Sequence, residues 1–142
     1  MKIWFAQSRE QRERKTKMQK ATIQSDPVRG VLERLYADAA KHQPGKGNGP
    51  KGEAASSEEF YKVHMNQAYM CIGPDLGHLL YGLARSMSAK TIVEFGTSFG
   101  ISAIYLAAAL KDNGGGRLIT TEFAPNKVAT ARENLEAAGL SD

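Results

Sequence analysis

Two carboxylates, Glu94 and Glu122, and the hydroxyls of Thr97, Ser98 and Ser102 carry most of the chemistry legible in this chain, because of the glycines and apolar runs around them. Thr91-Ile92-Val93-Glu94-Phe95 is a short apolar run, Gly96-Thr97-Ser98-Phe99-Gly100 a glycine-bounded turn, and Ile101-Ser102 the start of a helix. A strand that feeds a glycine turn into a helix exposes backbone N–H groups and the positive end of a helix dipole. An anionic or polar ligand group is favoured there. Gly96 and Gly100 would let the backbone approach that ligand with no Cβ in the way. Arg117-Leu118-Ile119-Thr120-Thr121-Glu122 repeats the strand signal at the distance a βαβ unit needs, so Glu94 and Glu122 are expected near neighbouring strand ends.

A dinucleotide is one ligand for such a turn, since a carboxylate at the second strand tip can take ribose hydroxyls. The glycines argue against it. With Gly96 first in a G-x-G-x-x-G pattern, Ser98 and Ile101 stand where the second and third glycines belong, and a pyrophosphate would be poorly accommodated. A nucleoside ligand without a pyrophosphate fits better.

Helices must position this turn. Asp26, read as an N-cap, and Pro27 open a helix in which Val28, Val31, Leu32, Leu35 and Ala39 recur at helical spacing. A Gly/Pro linker at 44–52 ends it, and no window there matches a phosphate loop. Ser56 with Glu59 forms a capping box for a helix bearing Phe60, Val63 and Met70 on one side and Tyr61, Met65, Ala68 and Ile72 on another, predicted to run to Gly73-Pro74 between two layers. Asp75 is read as the cap of the next helix, where Leu76, Leu79, Leu80, Leu83 and Met87 form a stripe that predicts a buried face. His64 and His78 lie in these helices without a partner at defined spacing and read as packed or surface histidines. After the turn, Ile101, Ile104, Tyr105 and Ala108 are expected in the core, and Asp112 to Gly116 reverses the chain. A last helix follows Pro125, with Val128, Ala131, Leu135 and Ala138 in register and Gly139 at its C′ position.

A chain of 142 residues is one domain or part of one, and a chain of roughly 150 residues buries about 70% of its unfolded surface. Apolar content of 42% and charged content of 24% are ordinary for a globular protein. The net charge of +4 is carried by Arg9 to Lys20, six bases against two acids, so the rest is near neutral and no basic patch for nucleic acid is expected. Residues 1–20 therefore read as a basic polar extension, within which Met18 is an alternative start. Residues 21–89 read as a helical region and 90–142 as the first part of a ligand-binding domain. With Cys71 as the single cysteine, no intramolecular disulfide or cysteine zinc cluster can form. Ile3-Trp4-Phe5-Ala6 falls short of the apolar core of about 7–15 residues in a signal peptide, and the apolar run ending at Leu110 is about half a membrane span. A cytoplasmic protein with no membrane partner is expected.

The segment Val93-Glu94-Phe95-Gly96-Thr97-Ser98-Phe99-Gly100-Ile101-Ser102 resembles the first motif of S-adenosylmethionine-dependent methyltransferases. The leucine-rich helix after Gly73-Pro74-Asp75, the Gly116 to Glu122 strand and Ala131-Arg132-Glu133-Asn134-Leu135-Glu136-Ala137-Ala138-Gly139 are similar to the small O-methyltransferases of the catechol and caffeoyl-CoA type, a likeness spanning roughly Asp26 to Asp142. Ser98 departs from the middle glycine of many methyltransferases, as this branch often does. The resemblance implies an α/β, Rossmann-like methyltransferase fold represented by N-terminal helices plus the first βαβα unit of the parallel sheet, which is incomplete. It implies S-adenosylmethionine as cofactor, with Glu94 and the Gly96-Thr97 backbone at its methionine end, Ser102 at its carboxylate, Glu122 on both ribose hydroxyls, and Ser98 and Gly100 completing the turn. The implied acceptor is a hydroxyl of a small aromatic or other small molecule, with a divalent cation in the metal-dependent members.

The family's metal ligands, general base and acceptor-binding residues lie beyond its third strand. This chain is therefore expected to be the N-terminal part of such an enzyme, with catalytic groups past Asp142 and no methyl transfer alone. An open strand edge able to pair with a second copy makes a homodimer one expected assembly. Two rival readings remain: a non-enzymatic helical interaction module that pairs this edge with another chain, and a nicotinamide-dinucleotide-binding fragment.

Overall fold

The computed structural model describes residues 20–42, 66 and 68–141. After a single 3₁₀ turn at Thr22–Gln24 come α1 (Asp26–Lys41), α2 (Pro74–Ser86), β1 (Thr91–Phe95), α3 (Ile101–Asp112), β2 (Arg117–Thr121) and α4 (Pro125–Ala137). The two strands pair in parallel, Thr91 opposite Arg117 through Phe95 opposite Thr121, as the βαβ spacing predicts. Ile92, Glu94, Leu118 and Thr120 are half-buried on one face of this pair. The other face is open among the described residues, leaving Phe95 96% and Val93 72% exposed.

Helix α3 is the centre, packed against every other element among the described residues. The four residues expected in the core, Ile101, Ile104, Tyr105 and Ala108, are buried, and so are Ala103, Leu106, Ala109 and Leu110. A helix that is apolar on all sides is one enclosed on all sides. Its C-terminus closes with two hydrogen bonds, Gly114 N–H to the Lys111 carbonyl at 3.0 Å and Gly115 N–H to that of Leu110 at 2.9 Å, which reverse the chain into β2. All five apolar residues predicted for the buried face of α1 are buried. Ser25, however, occupies the N-cap position, and Asp26 and Pro27 form the first turn. The tip of the 3₁₀ turn is tied to the end of α3, where Asp112 accepts from Thr22 N–H at 3.0 Å, Thr22 Oγ1 at 2.5 Å and Tyr81 Oη at 2.6 Å.

The stripe expected in the core on α2 faces outward instead. Leu76, Leu79, Leu83 and Met87 are 45–76% exposed, Leu80 is half-buried, and the buried residues of the helix are Gly77 and Ala84. The cause is steric: a Cβ on Gly77 would lie 2.3 Å from Cε2 of Tyr105, so α2 meets α3 along its smallest residues and turns its leucines away. Asp75 is not the cap either. Gly73 takes that position and Pro74, whose fixed φ suits the first turn, begins the helix.

Most of the helix expected from Ser56 lies outside the described residues, and its last part, Ala68–Gly73, is not helical. The residue before a proline is steered to extended backbone, which Gly73 adopts at φ −73°, ψ 164°, and the Asn66 and Ala68 carbonyls accept from side chains of α4. His78 is exposed, its Nδ1 bonded to the Pro74 carbonyl at 2.8 Å and its ring edge-on to Tyr105, while His64 lies outside the described residues.

Candidate functional site

Beyond β1 the backbone makes three excursions to positive φ within five residues: Gly96 at 86°, Ser98 at 49° and Gly100 at 93°. Gly96 has nothing within 4 Å of where a Cβ would sit, so its glycine is required by conformation rather than crowding. Gly100 is required for the same reason: a Cβ there would make only ordinary contact with Ala131 of α4, at 3.4 Å, so its positive φ is what calls for glycine. The N–H groups of Gly96 and Thr97 both donate to the Thr121 carbonyl, at 3.1 and 2.8 Å, and Gly100 N–H closes the turn onto the Thr97 carbonyl at 2.8 Å. The first N–H groups of α3 then point out of the helix unpaired within it, at the positive end of its dipole.

Glu122 binds this turn to the loop after β2. Its Oε2 accepts from Ser98 N–H at 2.8 Å, and its Oε1 accepts from Phe123 and Ala124 N–H at 2.8 and 2.9 Å. Oε1 is thereby filled, and Oε2 keeps one lone pair. Glu94 is engaged differently: Thr120, directly opposite in the strand register, donates its hydroxyl to Glu94 Oε2 at 2.6 Å.

The hydroxyls of Thr97 and Ser98 are buried and have no hydrogen-bond partner among the described residues. Buried polar groups left unpaired are unfavourable by about 1–3 kcal/mol each, so two side by side at a helix N-terminus mark a place built for a polar ligand. Together with Ser102 on the first turn of α3 they line a cavity of about 10 Å³, closed from the other side by Tyr69, Met70 and Cys71. Partial burial of the Cys71 sulfur, in a residue that is exposed as a whole, pushes its thiol up from its usual range. Gly96, Thr97, Ser98, Gly100, Ser102 and Glu122 are thus gathered at one turn, while Glu94 stands one residue before the end of β1 with its carboxylate on Thr120.

Two polar residues of α4 that the sequence reading did not single out also reach this turn. Asn134 is buried and donates to the Phe99 carbonyl at 2.8 Å while accepting from Arg34 of α1 at 2.7 Å. Lys127 is 4% exposed; its Nζ donates to the Ala68 carbonyl at 2.9 Å and lies 5.3 Å from the centre of the Phe99 ring. Burial lowers the lysine pKa, and the Glu122 charge works the other way. Lys127, Ala131, Asn134 and Ala138 follow at i, i+4, i+7 and i+11, so a helical wheel with polar residues kept in could have found the pair. The expected face shared Ala131 and Ala138 with this stripe but had half-buried Val128 and Leu135 in place of the two polar residues.

A parallel βαβ unit with a glycine turn at the helix N-terminus and an acid at the second strand tip defines the Rossmann-like class of cofactor-binding folds. This chain belongs to the O-methyltransferase family, which matches residues 55–142. It is 44% identical over 70 residues to the catechol O-methyltransferase of Niastella koreensis, a match covering 49% of this chain and 31% of that protein. With the catechol O-methyltransferase of Mycobacterium tuberculosis it shares 34% over 73 residues, 51% of this chain and 32% of the relative. The chain thus spans about a third of the length of these relatives. An O-methyltransferase from Bacillus cereus solved in complex with SAH (S-adenosylhomocysteine) has a TM-score of 0.54 at 28% identity, over 79% of this chain and 40% of that one. These likenesses favour neither the interaction module nor the dinucleotide-binding fragment. Among the described residues no three His, Cys, Asp or Glu side chains come together as metal ligands would, so none is assigned to a cation.

Proposed function

We propose that the turn between β1 and α3 binds S-adenosylmethionine, and that the protein to which this segment contributes transfers the methyl group to a hydroxyl of a small aromatic or other small-molecule acceptor. The observation that carries this reading is the pair of buried hydroxyls of Thr97 and Ser98, unpartnered among the described residues, beside the α3 N-terminus and Glu122. The SAH complex of the Bacillus cereus relative supports it. The free lone pair of Glu122 Oε2 would accept from the ribose diol. Ser102 and the α3 N-terminus would hold the carboxylate. With the Gly96 and Thr97 N–H groups already donated to Thr121, the Gly96 carbonyl is left to accept from the ammonium, beside Glu94. The cofactor supplies an electrophilic methyl on a sulfonium; these residues hold and orient it, which is where such catalysis gains its rate. A cytoplasmic location belongs to the same proposal and rests on the cysteine count.

Glu122→Ala should weaken S-adenosylhomocysteine binding about 10- to 100-fold in calorimetric titration of the full-length protein, the range of about 1.5–3 kcal/mol for hydrogen bonds to a charged group. Unchanged affinity would remove Glu122 from the site. Loss of methyl transfer to a catechol with binding intact would instead redirect the search to another acceptor.

A further inference from the structure

The first turn of α4 reaches back across 60 residues of chain. Asn126 Nδ2 donates to the Asn66 carbonyl and Lys127 Nζ to that of Ala68, both at 2.9 Å. From Ala68 to Gly73 the backbone crosses the glycine turn as a non-helical strap. Tyr69 of the strap stacks on Phe99 of the turn, ring centres 4.2 Å apart and planes 28° from parallel. The cavity enclosed between strap and turn is about 10 Å³. That is room for one water, whereas small-molecule sites run to about 300–1,000 Å³.

A ligand that reaches the Thr97 and Ser98 hydroxyls therefore has to lift the strap on entry, and the strap's anchors on α4 are what would return it over the bound ligand. An ammonium buried like that of Lys127 is also costly where only packing is needed, and an apolar side chain of the same length would serve packing better. What this ammonium does is hold a backbone carbonyl that neither strand nor helix would otherwise pair.

We propose that Ala68–Ile72 is a gate over the turn and that Lys127, seconded by Asn126, is its latch: a positioning residue that closes the strap over the bound cofactor and sets how fast it leaves. The inference rests on the cofactor reading above for the ligand, and on the strap's own contacts for the latch. In Lys127→Met, S-adenosylhomocysteine should dissociate about tenfold faster in stopped-flow displacement, the loss expected for one hydrogen bond from a charged donor. Amide exchange at Tyr69–Ile72 should rise while that of β1 and α3 stays at the wild-type level, and Lys127→Arg, which keeps a cationic donor, should recover part of both effects. Wild-type dissociation and exchange rates in a folded Lys127→Met protein would overturn the latch. So would exchange rising equally throughout the protein, the mark of a purely structural lysine. If the wild type does not bind S-adenosylhomocysteine, the cofactor reading fails and the latch is decided by exchange alone. If Lys127→Met does not fold, Asn126→Ala at the exposed second anchor should raise exchange at the same four amides, and no rise there would overturn the proposal.

Discussion

Adding one methyl group at Gly77 tests which face of α2 the fold buries. The new Cβ would stand 2.3, 2.5 and 2.7 Å from Cε2, Cζ and Cδ2 of Tyr105, where 3.4–4 Å is ordinary contact, so ring or helix must give by more than 1 Å. Tyr105 has little freedom to move: it is 1% exposed, its hydroxyl lies 3.5 Å from that of Tyr36, and its ring abuts His78. Overpacking of a filled core is destabilising by about 1–3 kcal/mol, and a clash with a rigid ring belongs at the upper end, about 3 kcal/mol. Gly82, on the same helix, has no atom within 4 Å of its Cβ position, and Gly82→Ala should gain up to about 1 kcal/mol of helix propensity. The two alanines should therefore differ by about 3–4 kcal/mol in urea unfolding followed by circular dichroism at 222 nm. Equal stabilities would mean that α2 does not meet α3 through Gly77 and that the leucine stripe faces the core after all.

The knot around Asp112 predicts opposite responses at the two ends of the pH scale. Burial pushes the Asp112 carboxyl up, but the hydrogen bonds from Thr22 and Tyr81 outweigh it and hold the group below its ordinary 3.8. Its stabilising contribution is therefore present above about pH 4 and lost as pH falls through the lower folded value, and Asp112→Asn should flatten the acid limb of a stability profile. Tyr81 is pushed up to about 12 by burial and by its bond to Asp112, so between about pH 10 and 12 the unfolded chain ionises first and stability falls, a decline that Tyr81→Phe should reduce. Asn134→Ala removes the acceptor for Arg34 and the donor to Phe99 together and should destabilise by about 2–3 kcal/mol in the same urea assay.

Much of this architecture could be read from local pattern. Five apolar residues of α1 at helical spacing are five buried residues, the glycine turn lies between strand and helix, and Gly139 ends α4 at φ 67° with its N–H on the Glu136 carbonyl at 2.8 Å. The failures have a common physical origin in partners chosen by tertiary contact. On α2 the leucines outweigh Gly77 and Ala84 in any hydrophobic count, yet the small residues decide how closely two helices can approach. At Ala68–Gly73 the apolar spacing reads as helix, but the donors that hold the extended backbone come from Asn126 and Lys127. Within the candidate site, the glycines and Glu122 announce themselves by type and position. Asn134 and Lys127 do not, because a single amide or lysine in a helix carries no local sign that it is buried.

The bonds from Thr22 to Asp112 and from Arg34 to Asn134 join residues 90 and 100 positions apart. A ribosome adding about 5–20 residues per second makes Asn134 roughly 5–20 s after Arg34, and α3 is made only in the second half of that interval. Until α3 is made, Val28, Val31, Leu32 and Leu35 have no core to enter, although they form the buried face of α1. The nascent chain is thus expected to emerge with α1 kept in solution only by its polar side, and early chaperone occupancy on residues 26–41 is the expected biosynthetic counterpart of these long-range contacts.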